Sequence, residues 1–297
     1  MHGQLQSRRA VLHSGQFGGG RVAMSSSGDG TVAAATGSAS GGPDMGRVRL
    51  DSAAVMIPHP QKADRGGEDA FFIADSGLVV GVADGVGVDP GLYSRELMRH
   101  ANDASKLVAP SPAAPADILA RAHGLTKARG SCTACILVIE DHELHAANLG
   151  DSGFLVVRGN DLAFMSPQQQ HDFNFPFQIG SADSMSDAPS DAQRFSIRVR
   201  DRDVVVAATD GVFDNVYPDE IVQLIAEQQR EGRSALQAAT ALAQFARHRA
   251  ADPGHLSPFA FGAQQRGYRF FGGKMDDITA LVAYVTPAEE GAPRAKL

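Results

Sequence analysis

Tryptophan is absent from this chain and aromatic residues reach only 6%, so aromatic platforms for stacking single strands or sugars are excluded. Two cysteines, Cys132 and Cys135, cannot build a disulfide framework, which points to a reducing or redox-neutral compartment. No stretch approaches about 18 consecutive apolar residues without charge, so no membrane span is expected. Basic residues are not in surplus: Lys+Arg of 27 against Asp+Glu of 34 gives −7, with a sequence pI near 5.8. That balance, with no local basic stripe, carries no footprint for nucleic acid. The ten histidines form no H-x-x-x-H or H-x-E pattern, which removes zinc-hydrolase readings. What is present is ordinary: 43% hydrophobic and 21% charged residues over 297 positions, enough for one or two folded domains.

Residues 1–46 differ in kind from the rest. They are rich in Gly and Ser, as in Gly18-Gly19-Gly20 and Ser25-Ser26-Ser27, and carry two acids, Asp29 and Asp44. Such a segment cannot bury enough apolar area to offset its backbone entropy and is expected to be disordered. Its acid-poor composition with Arg8, Arg9 and Arg21 fits either an organelle transit peptide or a plain flexible tail. The first reading implies a chloroplast or mitochondrion, the second a cytoplasmic protein. The domain is placed at 47–287, with residues 288–297 as a flexible C-terminal tail.

Within the domain, short apolar strands pair across tight turns: Ala70–Ala74 with Leu78–Ala83, Cys132–Glu140 with Glu143–Asn148, Gly153–Arg158 with Leu162–Met165, and Phe195–Arg200 with Asp203–Ala208. A last strand spans Ile278–Val285. Turns of two or three residues make these pairs antiparallel, since a parallel crossover needs a dozen or more residues. Helical periodicity runs over Leu92–Leu107 and Ala116–Lys127, and helices start at Pro218 and Ser234. Two apolar sheets covered by helix pairs are the economical arrangement. Residues 166–194, rich in Gln, Asp and Ser with three prolines, read as a long functional loop.

The acids carry the chemistry. Leu78–Ala83 runs into Asp84-Gly85, and Val204–Thr209 runs into Asp210-Gly211. Glu68-Asp69 and Asp276-Asp277 each immediately precede a strand, and Asp151 follows one. One Asp-Gly after a strand is usually a turn. Several strand-end acids converging on one edge would instead repel, raising their pKa values unless a cation neutralises them. Carboxylates and carbonyls are hard ligands suited to Mg²⁺ or Mn²⁺. Such a cluster is expected to hold two ions and activate a water for phosphoryl hydrolysis.

The segments Gly67-Glu68-Asp69-Ala70, Asp84-Gly85-Val86-Gly87, Gly150-Asp151-Ser152, Thr209-Asp210-Gly211-Val212 and Lys274-Met275-Asp276-Asp277-Ile278-Thr279 occur in this order. Together they resemble the metal-dependent serine/threonine phosphatases of the 2C type, across about residues 50–287. Gly130-Ser131-Cys132-Thr133-Ala134 and Phe173-Asn174-Phe175-Pro176-Phe177-Gln178 extend the resemblance to the organellar Ptc7-like branch. The resemblance implies an α+β fold, a four-layer α/β/β/α sandwich of two antiparallel sheets flanked by helices. It implies a phosphoprotein substrate, a monomer, and two Mg²⁺ or Mn²⁺ ions with a weaker third. By the same resemblance Asp84 bridges both ions, the Gly85 carbonyl binds the second, and Asp210 and Asp276 hold one directly. Glu68 and Asp69 act through bound waters, Asp151 matches an acid of the third site, and Asp277 ranks below Asp276 as a ligand. A catalytically weak relative acting as a regulatory binding module is the alternative.

Three positions depart from the family pattern. A His that follows Asp-Gly in many relatives is Val86 here, which leaves the general acid unassigned, with His171 as a weak candidate. A Trp frequent after Asp-Gly-Val-Gly is replaced by the run Val88-Asp89-Pro90. The position of the phosphate-binding Arg is Asp64, flanked by Lys62 and Arg65. Either could supply the cation; Arg65 is favoured because a planar guanidinium can pair bidentately with phosphate oxygens. The Cys132-x-x-Cys135 pair lacks a second pair for zinc and is expected to be strand packing.

Overall fold

The computed structural model describes residues 47–288. The expected tail over 1–46 and, apart from Ala288, the expected C-terminal tail lie outside the described residues. Two five-stranded sheets dominate. One has the order β1 (Val48–Ile57), β15 (Ile278–Pro287), β14 (Val204–Ala208), β8 (Gly153–Arg158), β9 (Asp161–Met165). The other has the order β13 (Gln193–Arg198), β7 (Glu143–Leu149), β6 (Ala134–Glu140), β3 (Val79–Ala83), β2 (Ala70–Ile73). Every ladder in both is antiparallel. A small sheet joins β12 (Ile179–Gly180), β5 (Ser131–Cys132) and β4 (Gly85–Val86), and β10 (Gln170–Asp172) pairs with β11 (Phe175–Pro176) inside the long loop.

Alternation along the strands fills three apolar layers. Val80, Val82, Leu137, Phe154, Val205 and Leu281 meet between the two sheets. Outside one sheet, Ile136 and Leu149 pack on α1 (Pro90–Ser105) and α2 (Ala114–Leu125) through Leu97, Met98, Ile118 and Leu119. Outside the other, Val206 and Val282 pack on α4 (Pro218–Arg230) and α5 (Ala235–Ala251) through Ile221, Ile225 and Leu242. The short helices α3 (Asp210–Phe213) and α6 (Pro258–Gln265) complete the order. The result is the expected four-layer α/β/β/α sandwich.

The hairpins β2–β3, β6–β7 and β8–β9 form as the turn chemistry predicts, and Ser234 caps α5 by accepting from the Gln237 amide. Two local readings are corrected. The predicted pair Phe195–Arg200 with Asp203–Ala208 is not a hairpin: β13 and β14 lie in different sheets, and Phe195 of β13 packs across the core on Phe154 and Phe164. Buried Asp203 turns this corner. Its carboxylate accepts from the Arg200 amide at 2.9 Å and from the Arg158 guanidinium at 2.7 and 2.9 Å, and Arg202 adopts φ 68. The predicted strand Cys132–Glu140 is broken at Thr133, whose amide leaves the ladder to donate to the Asp84 carbonyl at 2.9 Å. The long edge strand β1 was not expected, although Val48 and Leu50 alternate with exposed Arg49 and Asp51. Cys132 packs toward the helices and Cys135 between the sheets, on opposite faces, so the pair is core as predicted.

Candidate active site

Antiparallel register decides where the acids go. Ala70 pairs with Ala83, so Glu68-Asp69 before β2 and Asp84 after β3 share one end of their sheet. Ala208 pairs with both Gly153 and Ala280, so Asp210 after β14, Asp151 before β8 and Asp276-Asp277 before β15 share one end of the other. Asp69 ties the two ends together. Its Oδ2 accepts from the Thr209 hydroxyl at 2.8 Å and the Thr279 hydroxyl at 2.7 Å, across the sandwich. Thr133 does the same for the Asp84 turn: its Oγ1 accepts from the Asp84 amide at 3.1 Å and lies 2.6 Å from Ser152 Oγ. All of the sequence-predicted acids are therefore brought to one edge.

Their ionisation shows the crowding. Burial, followed by the charges of Asp210, Asp69 and Asp276, holds the Asp84 carboxyl well above the usual range. Burial lifts Asp69 to about 8, against the lowering effect of its two threonine hydroxyls. Burial and the Asp210 charge raise Asp151 to about 6, opposed by the Gln170 amide 2.9 Å from its Oδ2. Burial and Asp210 likewise raise Asp276. Burial alone would raise Asp210 too, yet its pKa is lowered, because the Lys274 ammonium sits 2.5 Å from its Oδ2.

Two lysines supply positive charge. Lys274 Nζ lies 2.5 Å from Asp210, 2.7 Å from Asp214 and 3.4 Å from Asp276. Lys62 Nζ lies 2.5 Å from Glu68 Oε2 and 3.1 Å from Asp277 Oδ2. Arg65 is 62% exposed at its side chain and touches Glu68 at 3.2 Å, so most of its guanidinium donors face outward. Asp277 is committed elsewhere: its oxygens accept from the His59 amide at 2.6 Å and the Glu68 amide at 3.0 Å as well as from Lys62. It braces the Glu68 turn.

The donor set fits divalent ions. Asp69 Oδ1 and Asp210 Oδ1 are buried with no hydrogen-bond partner, an arrangement that burial makes costly unless something positive fills it. Among the described residues, no group of three or more His, Cys, Asp or Glu side chains already closes into a metal-holding shell. Glu68, Asp276 and Asp277 are turned toward Lys62, and Asp210, Asp214 and Asp276 toward Lys274. Gly85 and Gly211 leave the backbone room to approach: a Cβ at Gly85 would stand 2.6 Å from the Glu68 carbonyl, and one at Gly211 would overlap the Asp277 carbonyl. Gly211→Ala is accordingly expected to cost about 2–4 kcal/mol in a denaturant melt. Gly124→Ala, on an exposed helical position with open space, should be neutral or mildly stabilising.

Sequence reasoning missed Asp214 and Lys274. Asp214 follows Asp210 by four residues at the end of α3 and its amide donates to the Asp210 carbonyl at 2.7 Å, so the D-x-x-x-D spacing was the available signal. Lys274 stood in a recognised motif without a role. His171, considered for proton donation, is instead 2.9 Å from Asp187 and stacked on Phe177, where it holds the loop together.

The chain is 50% identical over 246 residues to "Probable protein phosphatase 2C 80" of Arabidopsis thaliana, covering 80% of this chain and 59% of that one. It is 40% identical over 241 residues to the protein phosphatase PTC7 homolog of Homo sapiens, covering 74% of this chain and 79% of that one. The chain belongs to the protein phosphatase 2C family. Among solved structures it is similar to the photosystem II phosphatase PBCP, with TM-score 0.74 and 35% identity over 80% of this chain and 100% of that one. The fold is shared more widely: the PstP catalytic domain, solved with two manganese ions, gives TM-score 0.58 at 15% identity, over 80% of this chain and 99% of that one. No protein-family model matches the chain. The phosphatase 2C chain spans 59% and 53% of the lengths of two of its Arabidopsis thaliana relatives.

Proposed function

We propose that this chain is a metal-dependent protein serine/threonine phosphatase that hydrolyses phosphoserine and phosphothreonine by direct attack of water, without a covalent enzyme intermediate. The observation that carries the reading is the gathering of Asp69, Asp84, Asp151, Asp210 and Asp276 from two sheets onto one edge, with two buried carboxylate oxygens left unpartnered. A chain kept only as a binding module has no need of this crowding, which costs stability without an ion. Asp84, the Gly85 carbonyl, Asp210 and Asp276 would hold two Mg²⁺ or Mn²⁺ ions, with Glu68 and Asp69 acting through water and Asp151 near a third position. Bound divalent ions supply a more acidic water and a screen for phosphoryl charge. Arg65, exposed beside Glu68, would meet an incoming phosphate, and Lys62 pairs with Glu68 and Asp277. The chain acts as a monomer in an organelle, a chloroplast or mitochondrion. The organellar part of that reading is supported by the chain's likeness to the photosystem II phosphatase and by the acid-poor composition of residues 1–46. Among the described residues no helix is long and apolar enough to cross a membrane.

Val86 gives the test its form. It lies in β4 beside Asp84, and no proton donor stands in its place. An aryl phosphate departs as a weak base and needs little protonation, whereas a serine alkoxide needs much more. Mn²⁺-dependent hydrolysis of p-nitrophenyl phosphate is expected, with a marked fall in the chemical step for alkyl phosphates that Val86→His partly relieves. No hydrolysis with either metal would remove the function. Equal aryl and alkyl rates, with chemistry limiting, would show that another acid is already in place.

A further inference from the structure

Lys274 is a mostly buried charge at the site that the proposed chemistry leaves without a task. Its ammonium is the shared neighbour of Asp210 Oδ2 at 2.5 Å, Asp214 Oδ2 at 2.7 Å and Asp276 Oδ2 at 3.4 Å, and its side chain is 17% exposed. The surroundings hold it there. Buried Asn215 clamps the Lys274 backbone from both sides: its Oδ1 accepts from the Lys274 amide at 2.8 Å and its Nδ2 donates to the Lys274 carbonyl at 2.8 Å. Asn215 Nδ2 also donates to the Gly211 carbonyl at 2.9 Å, which couples Lys274 to the turn that carries Asp210. Gly273 just before it approaches the end of α5 so closely that a Cβ would overlap the Arg249 carbonyl. The ring of Phe259 lies 5.0 Å from Nζ and closes the remaining side.

Asp151, the acid read beside a third position, has Asp210, Asp214 and Lys274 as its charged neighbours, and a divalent ion between Asp210 and Asp214 would need the two oxygens that the ammonium already holds. Mg²⁺ binds carboxylate oxygen at about 2.0–2.1 Å and demands near-octahedral space, so an ammonium already bonded to Asp210 and Asp214 and an ion between them exclude each other. We propose that Lys274 is a built-in cation of this site: its ammonium fills the position between Asp210 and Asp214 that a third divalent ion would take, so that the chain loads two ions and not three. Lys274 is a positioning residue in this account. It pairs with Asp210 Oδ2, leaves Asp210 Oδ1 without a hydrogen-bond partner and so open to an ion, and replaces an exchangeable cation by a covalently attached one. The inference rests on the two-ion reading of the site.

Ion counting tests it without reference to turnover. Mn²⁺ would be titrated calorimetrically, with bound ions counted by native mass spectrometry, into the full chain, Lys274→Met, and the double variant Asp214→Asn with Lys274→Met. The expected counts are two, three and two. The lost positive charge should also tighten the first two ions in Lys274→Met by roughly tenfold or more. If Lys274→Met unfolds in chelator because its acids have lost their counter-charge, refolding by Mn²⁺ with three ions bound supports the proposal equally. Three ions on the unaltered chain, or two on Lys274→Met, overturn it. So does a third ion retained by the double variant, which would place that ion away from Asp214. An unaltered chain that binds no Mn²⁺ overturns this inference and the two-ion reading together, whereas two on the chain and two on Lys274→Met removes this inference alone.

Discussion

Asp84→Asn is expected to lower phosphatase turnover by roughly two to three orders of magnitude and to weaken Mn²⁺ binding, while the chelated domain melts at the same temperature or a few degrees higher. Asparagine keeps the side chain's size and removes one charge from a buried group that Asp210, Asp69 and Asp276 already disfavour. Asp210→Asn should lose turnover to a similar extent but behave differently without metal. Its carboxylate is the one that Lys274 favours, so the variant takes a 2.5 Å partner from a mostly buried ammonium. Lys274 keeps Asp214 and Asp276, and the chelated melting temperature should fall below that of Asp84→Asn by a few degrees. Activity, calorimetric titration with Mn²⁺ and melts in chelator read all three quantities. An Asp84→Asn protein that binds two ions and turns over normally would sink the site.

The second large effect is a stability trend that opposes the usual one for acids. Asp69 and Asp214 are raised to about 8 and Asp151 to about 6, against an unfolded value near 3.9. Between pH about 4 and about 8 the folded, metal-free chain therefore holds protons that the unfolded chain has released. By linkage, stability then falls as pH rises: the contribution is complete below about pH 4 and is lost as pH passes through the folded values. In chelator, melting temperature is expected to drop by about 10 °C from pH 5 to pH 8.5. Saturating Mn²⁺ should reverse most of that drop and stabilise far more at pH 8 than at pH 5, because the ions bind deprotonated carboxylates. A chelated melting temperature that is flat or rises over this range would mean that the acids are not crowded as the structure places them.

The strand-end acids were legible in the sequence because each stands beside an unbroken apolar run: Asp84 after Val79–Ala83, Asp210 after Val204–Ala208, Asp276 before Ile278. Tight turns such as Asp75-Ser76-Gly77 forced antiparallel pairs, and periodicity with caps such as Ser234 marked the helices. These are local effects, governed by residues within a few positions of one another, so a linear reading suffices for them. The corner at Asp203 was not legible. A two-residue turn between two strands has the same local chemistry whether they pair edge to edge or pass between sheets, and the choice is made by Arg158 and by the packing of Phe195 and Ile197 against the core. Lys274 was out of reach for the same reason. In sequence it is an isolated lysine; its partners Asp210 and Asp214 lie 64 and 60 positions away. Residue types and their spacing thus determined that the acids stand at strand ends, in the motif order of the phosphatase 2C family. Only the tertiary structure decided which carboxylates pair with a lysine and which keep an unpartnered oxygen, because burial and charges brought together across two sheets set the surroundings of each group.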